Sequence, residues 1–88
     1  RQPAVGQDIA VVVAETVPAA RLVEIARQTP YLERVDVFDV YTGPPLGPGE
    51  KSVGLGLVFR APDRTLTEAE VKGLVEGLVR RLGREVGA

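Results

Sequence analysis

The sequence contains no cysteine and no histidine in its 88 residues. Disulfide bonds and thiol chemistry are therefore excluded, as are zinc sites of the usual kind, whose ligands are Cys and His side chains. Catalytic arrangements in which a histidine activates a serine or a cysteine are excluded as well. Asparagine is also absent, which argues against an acylphosphatase-like hydrolase, since that chemistry needs an Asn and a well-placed Arg. We predict no catalytic residue and no metal site.

Long apolar runs and a strong charge of either sign are missing too. No stretch approaches the roughly 20 apolar residues of a membrane-spanning helix, so we expect no membrane partner. The net charge is −1, from 11 basic and 12 acidic residues, which argues against indiscriminate binding to nucleic acids. The lack of cysteine fits a cytoplasmic protein. Because the chain begins with Arg1 rather than Met, we expect it to be a piece of a longer protein.

The length and the apolar content of 44% predict one globular domain over residues 1–88. The β-branched, apolar segment Asp8–Glu15 predicts a first strand. Apolar residues at helical spacing in "AARLVEIARQT" predict a helix that continues to Thr29 and ends before Pro30. Clustered Pro and Gly residues then predict a loop over Gly43–Gly49.

Two further strands are predicted on either side of this loop, over Leu32–Tyr41 and Lys51–Arg60, because apolar and polar residues alternate in both. The segment "TEAE" matches a capping box, in which a threonine and a glutamate satisfy the first amides of a helix. It predicts the start of a final helix, Glu68–Val86, whose apolar residues recur at spacings of three and four.

The order strand, helix, strand, strand, helix predicts an α+β ferredoxin-like two-layer sandwich. In this fold two helices cover one face of an antiparallel sheet and leave the other face open. We expect the fourth strand to be very short or missing, because almost no residues follow the last helix. A different two-layer α+β arrangement of the same elements is the alternative.

Alternation in the last strand predicts which residues reach the open face. The residues Val53, Leu55, Leu57 and Phe59 are too apolar to face water, so they should face the helices. Ser52, Gly54 and Gly56 should then point to the open side, because successive strand residues alternate between faces.

The same reasoning applies to the preceding strand. It predicts that Phe38 and Val40 point inward and that Asp39 and Tyr41 point outward. A slip of one residue would bury the acid and expose the phenylalanine, so the register should be well specified.

These outward residues predict a surface that binds planar groups. Tyr41 would supply a ring for stacking, Asp39 acceptors, and Ser52 both a donor and an acceptor, while Gly54 and Gly56 would leave bare backbone that a planar group can approach. This combination is typical of single-stranded RNA recognition. The alternatives are that the glycines mark a bulge or a close crossing of another element and that the tyrosine only covers the core.

A cationic side chain lies at each end of the last strand. Lys51 and Arg60 could contact phosphates of a bound RNA. Ordinary solvation of charged residues at strand ends is the competing interpretation and the more common situation.

Three segments of the chain resemble a known family. They are "FDVY" (Phe38–Tyr41), the glycine-rich segment that leads into "KS" (Lys51–Ser52), and "RAPDRTLTEAEV" (Arg60–Val71). Together they resemble the C-terminal, ferredoxin-like anticodon-binding domain of the β subunit of bacterial phenylalanyl-tRNA synthetases. The resemblance covers nearly the whole chain.

The resemblance implies a non-catalytic module that binds the anticodon stem-loop of phenylalanine tRNA. It implies that Asp39, Tyr41 and Ser52, which match the contact positions of the family's motifs, contact anticodon bases. The implied partners are the rest of the β subunit and the α subunit, in an α2β2 heterotetramer. No cofactor is expected in this domain, since ATP and magnesium would be used elsewhere in the parent enzyme.

A second hypothesis comes from another functional class. Ferredoxin-like sheets also serve as regulatory or oligomerisation modules that bind small molecules such as amino acids, and the fold alone does not separate the two. Such a module would be expected to dimerise and to bind its ligand at a loop or at the dimer interface.

Overall fold

A computed structural model of the protein describes residues 2–88. Its elements are β1 (Val5–Ala14), α1 (Ala19–Ala26), β2 (Leu32–Tyr41), β3 (Glu50–Phe59) and α2 (Glu68–Val86). The predicted order is confirmed, and the predicted bounds of β2 and α2 are those observed. The strand β1 starts earlier than predicted, and α1 ends earlier.

The three strands form one antiparallel sheet in the order β1-β3-β2, with β3 in the centre. This order and the two helices confirm the predicted α+β ferredoxin-like fold. Residues 2–88 contain no fourth strand, so the outer edge of β1 is unpaired within the part of the chain that the structure describes. A cleft of about 550 Å³ lies beside the start of β1, between Val5 and Gln7 on one side and Val71 and Val75 of α2 on the other.

The core lies between the sheet and the helices, and β3 contributes most to it. Every second residue of β3, from Val53 to Phe59, is at most 1% exposed. These side chains share one cluster with six buried residues of the two helices, namely Leu22, Ile25, Ala26, Val71, Leu78 and Leu82. Apolar burial of this kind is the main stabilising contribution to a fold, and it fixes which face of the sheet remains open.

The helix α2 begins and ends with specific capping interactions. The hydroxyl oxygen of Thr67 accepts a hydrogen bond from the amide of Glu70 (3.1 Å), and the Glu70 carboxylate accepts one from the amide of Thr67 (3.0 Å). The predicted capping box is therefore confirmed. At the other end Gly87 adopts a φ of 73°, a left-handed conformation that glycine reaches without strain.

Glu70 makes the start of α2 sensitive to acid. The amide of Thr67 and, secondly, the guanidinium of Arg64 hold the pKa of Glu70 below its ordinary value of 4.5. Because the folded-state pKa is depressed, the charge of Glu70 stabilises the fold at neutral pH, and this contribution is lost as the pH falls through the folded-state pKa.

We therefore expect Glu70→Gln to lower stability at neutral pH and to matter progressively less in acid. Glutamine keeps an oxygen that can cap the helix but has no charge to lose. The measurement is the urea midpoint of both proteins between pH 7 and pH 3. A difference between them that stays constant across this range would contradict the role of the charge.

Candidate functional site

The open face of the sheet consists of rows of facing residues, one from each strand. Residues opposite one another in antiparallel strands share a face, and successive rows lie about 7 Å apart. Starting from the end nearest the β2–β3 loop, the rows are Val12–Ser52–Tyr41, Ala10–Gly54–Asp39, Asp8–Gly56–Asp36 and Gly6–Val58–Arg34. The strand register thus brings the predicted residues Asp39, Tyr41 and Ser52 together on this face.

The position of Phe38 corrects the prediction from alternation. The register of β2 against β3 shifts between Val37 and Asp39, which leaves Phe38 as the extra residue of a β-bulge. Instead of pointing into the core, Phe38 is 60% exposed. Its ring lies on the open face, against Gly54. Simple alternation fails here because it assumes an uninterrupted register.

The prediction that Gly54 presents bare backbone is therefore wrong. Gly54 is buried under the ring of Phe38. A Cβ built at Gly54 would lie only 2.7 Å from Cζ of Phe38, closer than two carbon atoms tolerate. Gly56 in the next row is half-buried, and a Cβ there would lie 3.8 Å from Cδ2 of the same ring. The alternative explanation, a close approach by another part of the chain, therefore accounts for Gly54.

Val40 lies on the predicted side of the sheet but is not buried. It faces Val53 across the strand pair, on the helix side. It nevertheless remains 54% exposed. The end of β2 near the loop is thus less well covered than the centre of the sheet.

The ring of Tyr41 is held in place by the β2–β3 loop. Its hydroxyl donates a hydrogen bond to the carbonyl oxygen of Pro44 (2.6 Å). Gly43 adopts a φ of 114°, and a Cβ there would lie 3.3 Å from the Tyr41 hydroxyl, so glycine lets the loop turn closely around the phenol. Tyr41 remains 45% exposed. A fixed, exposed ring is well suited to stacking on a planar ligand.

The charge on the open face is mainly negative. Asp8, Asp36 and Asp39 lie in its two middle rows. Arg34, in the last row, is bound to Asp36 at 3.1 Å. Carboxylates only accept hydrogen bonds, so this face favours N–H donors, such as the amino groups of bases, over phosphates. Alternation had drawn attention only to Asp39, but the strand pairing adds Asp8 and Asp36 because both face Gly56.

Lys51 is not part of the open-face group. It faces Val13 in the adjacent strand, and Val13 is 3% exposed and belongs to the core. Lys51 therefore lies on the helix side of the sheet and not beside Ser52.

Arg60 lies far from the Tyr41 row. It follows β3, eight residues after Ser52, which is about 26 Å along a strand. Its guanidinium donates to the carboxylate of Glu33 (3.0 Å) and to the carbonyl of Gln2. This geometry fits a charged residue held at the end of a strand, and it gives the predicted phosphate contact no support.

Residues 2–88 contain no group of three or more side chains that could hold a metal ion. Neither α1 nor α2 is long and apolar enough to cross a membrane. The open face of the sheet, with its exposed rings and its carboxylates, is the candidate site.

The fold and this face together define a class: a ferredoxin-like domain whose open sheet presents aromatic rings beside hydrogen-bond acceptors. A profile of the ferredoxin-fold anticodon binding domain matches residues 1–88. The chain belongs to this family. The resemblance drawn from its motifs is thereby confirmed.

Curated relatives point to one kind of parent protein. The chain is 48% identical over 88 residues to the phenylalanine–tRNA ligase β subunit of Anaeromyxobacter dehalogenans. It is 44% identical over 90 residues to that of Moorella thermoacetica and 46% identical over 88 residues to that of Mycolicibacterium paratuberculosis. These matches cover 98–100% of the chain but only 11% of each relative. The chain therefore corresponds to a small part of such a subunit.

Proposed function

We propose that the chain binds the anticodon stem-loop of phenylalanine tRNA through the open face of its sheet, as part of a phenylalanine–tRNA ligase. The observation that carries the proposal is the grouping of Tyr41, Ser52 and Asp39 in two adjacent rows of this face. Family membership supports it independently, since the matching profile describes an anticodon-binding domain.

The three side chains have complementary roles in the proposal. Tyr41, fixed by its bond to Pro44, stacks on an unpaired base, which is the usual contribution of an aromatic residue in single-stranded RNA binding. Asp39 accepts hydrogen bonds from amino or imino groups on a base edge, and Ser52 both donates and accepts. Such contacts read bases that are unstacked in a loop, which is where sequence-specific RNA recognition mostly occurs.

In this proposal the chain itself is non-catalytic. Aminoacylation, with its ATP and magnesium, takes place elsewhere in a cytoplasmic α2β2 ligase, in which the remainder of the β subunit and the α subunit are the protein partners. The net charge of −1 and the acidic open face predict weak binding by the chain alone, because phosphate neutralisation supplies most sequence-independent affinity. In the whole enzyme, several linked contact regions would raise the affinity.

The experiment is an NMR titration of the 88-residue chain with the phenylalanine anticodon stem-loop at low salt. A hairpin with the same stem and a scrambled loop is the control. We expect loop-dependent shifts at Asp39, Tyr41 and Ser52, and none at residues on the exposed side of α2.

Three outcomes would count against the proposal. Equal shifts with both hairpins would show that the stem, not the anticodon, is bound. Loop-dependent shifts confined to α2 would place the RNA on the other side of the molecule. An absence of shifts with either RNA at millimolar concentration would also contradict it.

A further inference from the structure

We infer that Phe38 is a second stacking platform, so that the open face holds two unpaired bases, one on Tyr41 and one on Phe38. This inference rests on the proposed function and deepens it. It names a recognition residue that alternation had assigned to the core.

The exposure of Phe38 is built into the strand pairing. The chain has two phenylalanines; Phe59 is fully buried, whereas Phe38 is 60% exposed. The register shift between Val37 and Asp39 places two consecutive residues, Phe38 and Asp39, on the open face. Alternation counted back from Asp39 alone would assign the ring to the helix side.

The ring of Phe38 packs against a position where only glycine leaves room for it. Gly54 lies in the central strand. Glycine is unfavourable there because it loses more conformational entropy on folding than other residues and has no side chain to pack. Here the absence of a Cβ makes room for the ring, because a Cβ at Gly54 would lie only 2.7 Å from Cζ of Phe38. The sheet thus supports one side of the ring and leaves the other available to a ligand.

The positions of the two rings suit neighbouring nucleotides. Phe38 is seated on the Gly54 row and Tyr41 belongs to the Ser52 row, one row away. Rows are about 7 Å apart, a distance that two successive nucleotides of an extended strand can span. Each base can then lie on its own ring rather than on its neighbour.

The surroundings of Phe38 indicate which bases it would accept. A depression of about 360 Å³ beside the ring is lined by Asp8, Asp36 and Gly56, among others. The two carboxylates only accept hydrogen bonds, and Asp36 already accepts one from Arg34, which also lines the depression, so Asp8 is the main acceptor for a base. A base with an amino group on its edge, namely adenine, cytosine or guanine, therefore fits this place better than uracil does.

The test measures the affinity of three variants for the anticodon hairpin. Phe38→Ala removes the ring, Gly54→Ala displaces it without removing it, and Val40→Ala truncates an exposed apolar residue of the same strand on the opposite face. We expect Phe38→Ala to weaken binding about 5- to 150-fold, the effect of one lost base–aromatic stack. Gly54→Ala should weaken binding in the same direction, and Val40→Ala should leave it unchanged. If Phe38→Ala does not fold, Phe38→Leu removes the aromatic ring while keeping most of the volume.

Hairpins with a single abasic position identify the partner base. Phe38→Ala should cost nothing further when the base that stacks on Phe38 is already missing. Tyr41→Ala should show the same behaviour at a different position. If both variants couple to the same nucleotide, the two-platform arrangement is wrong.

The result also separates this inference from the proposed function. If the unmodified chain binds the loop and Phe38→Ala binds as tightly as Val40→Ala, the inference is overturned and the proposed function stands. If the unmodified chain shows no loop-dependent binding, the proposed function fails and the inference fails with it.

Discussion

Replacement of Phe59 by alanine is expected to lower the free energy of unfolding by about 3–5 kcal/mol. Phe59 is fully buried at the end of the central strand, where it faces Val5 of β1 and Leu32 of β2. A chain of 88 residues has a total stability of about 4–13 kcal/mol. The variant should therefore lose much or all of its folded population at 37 °C.

The second phenylalanine provides a matched control. Phe38→Ala is the same chemical change at a site that is 60% exposed, and surface substitutions usually alter stability by no more than about 0.5 kcal/mol. Urea unfolding followed by circular dichroism, with both variants measured beside the unmodified chain, compares the two. Similar losses for both would show that Phe38 belongs to the core, and the description of the open face would be wrong.

The contrast between these two residues shows what could be predicted from the sequence. The inward face of β3 was predictable because four large apolar side chains recur at every second position and have no other way to avoid water. The start of α2 was predictable because Thr67 and Glu70 satisfy each other's amides locally. In both cases the information lies within a few residues of the chain.

The position of Phe38 was not predictable in this way. Nothing in "VFDVY" alone marks a bulge, because the extra residue is defined by the pairing of β2 with β3. A combined reading of both strands contained a hint: a large aromatic residue in one strand and an otherwise unexplained glycine, Gly54, in its partner. Lys51 shows a simpler effect of strand geometry, since a residue next to Ser52 along the chain points to the opposite face of the strand.

The proposed RNA partner could not be derived from physical patterns alone. Exposed aromatic and acidic side chains define a surface for planar groups with N–H donors, which several kinds of ligand satisfy. The resemblance of the motifs, and then the match to the family over residues 1–88, favoured an anticodon over a small regulatory ligand. The geometry adds which side chains share the open face of the sheet.

Replacement of Tyr41 by alanine is expected to weaken binding of the anticodon stem-loop by about 1–3 kcal/mol, the usual contribution of one base–aromatic stack. Its effect on folding should be small, because the ring lies on the open face and is 45% exposed. The measurement pairs a hairpin titration with urea unfolding of the same sample. A large loss of stability with unchanged binding would show instead that Tyr41 serves mainly to cover the core.

Two further variants separate the ring of Tyr41 from its hydroxyl group. Tyr41→Phe keeps the stacking surface but removes the hydrogen bond to Pro44, so it should retain most of the affinity while the amide resonances of Gly43–Gly49 shift. Tyr31→Ala truncates the other tyrosine of the chain, which is 43% exposed and lies near Arg64, just before β2 begins. Binding should be unaffected in that variant, because β2 separates Tyr31 from the Tyr41 row. If all three variants lost affinity alike, binding would depend on overall aromatic content or on folding, and not on the ring that the loop fixes on the open face.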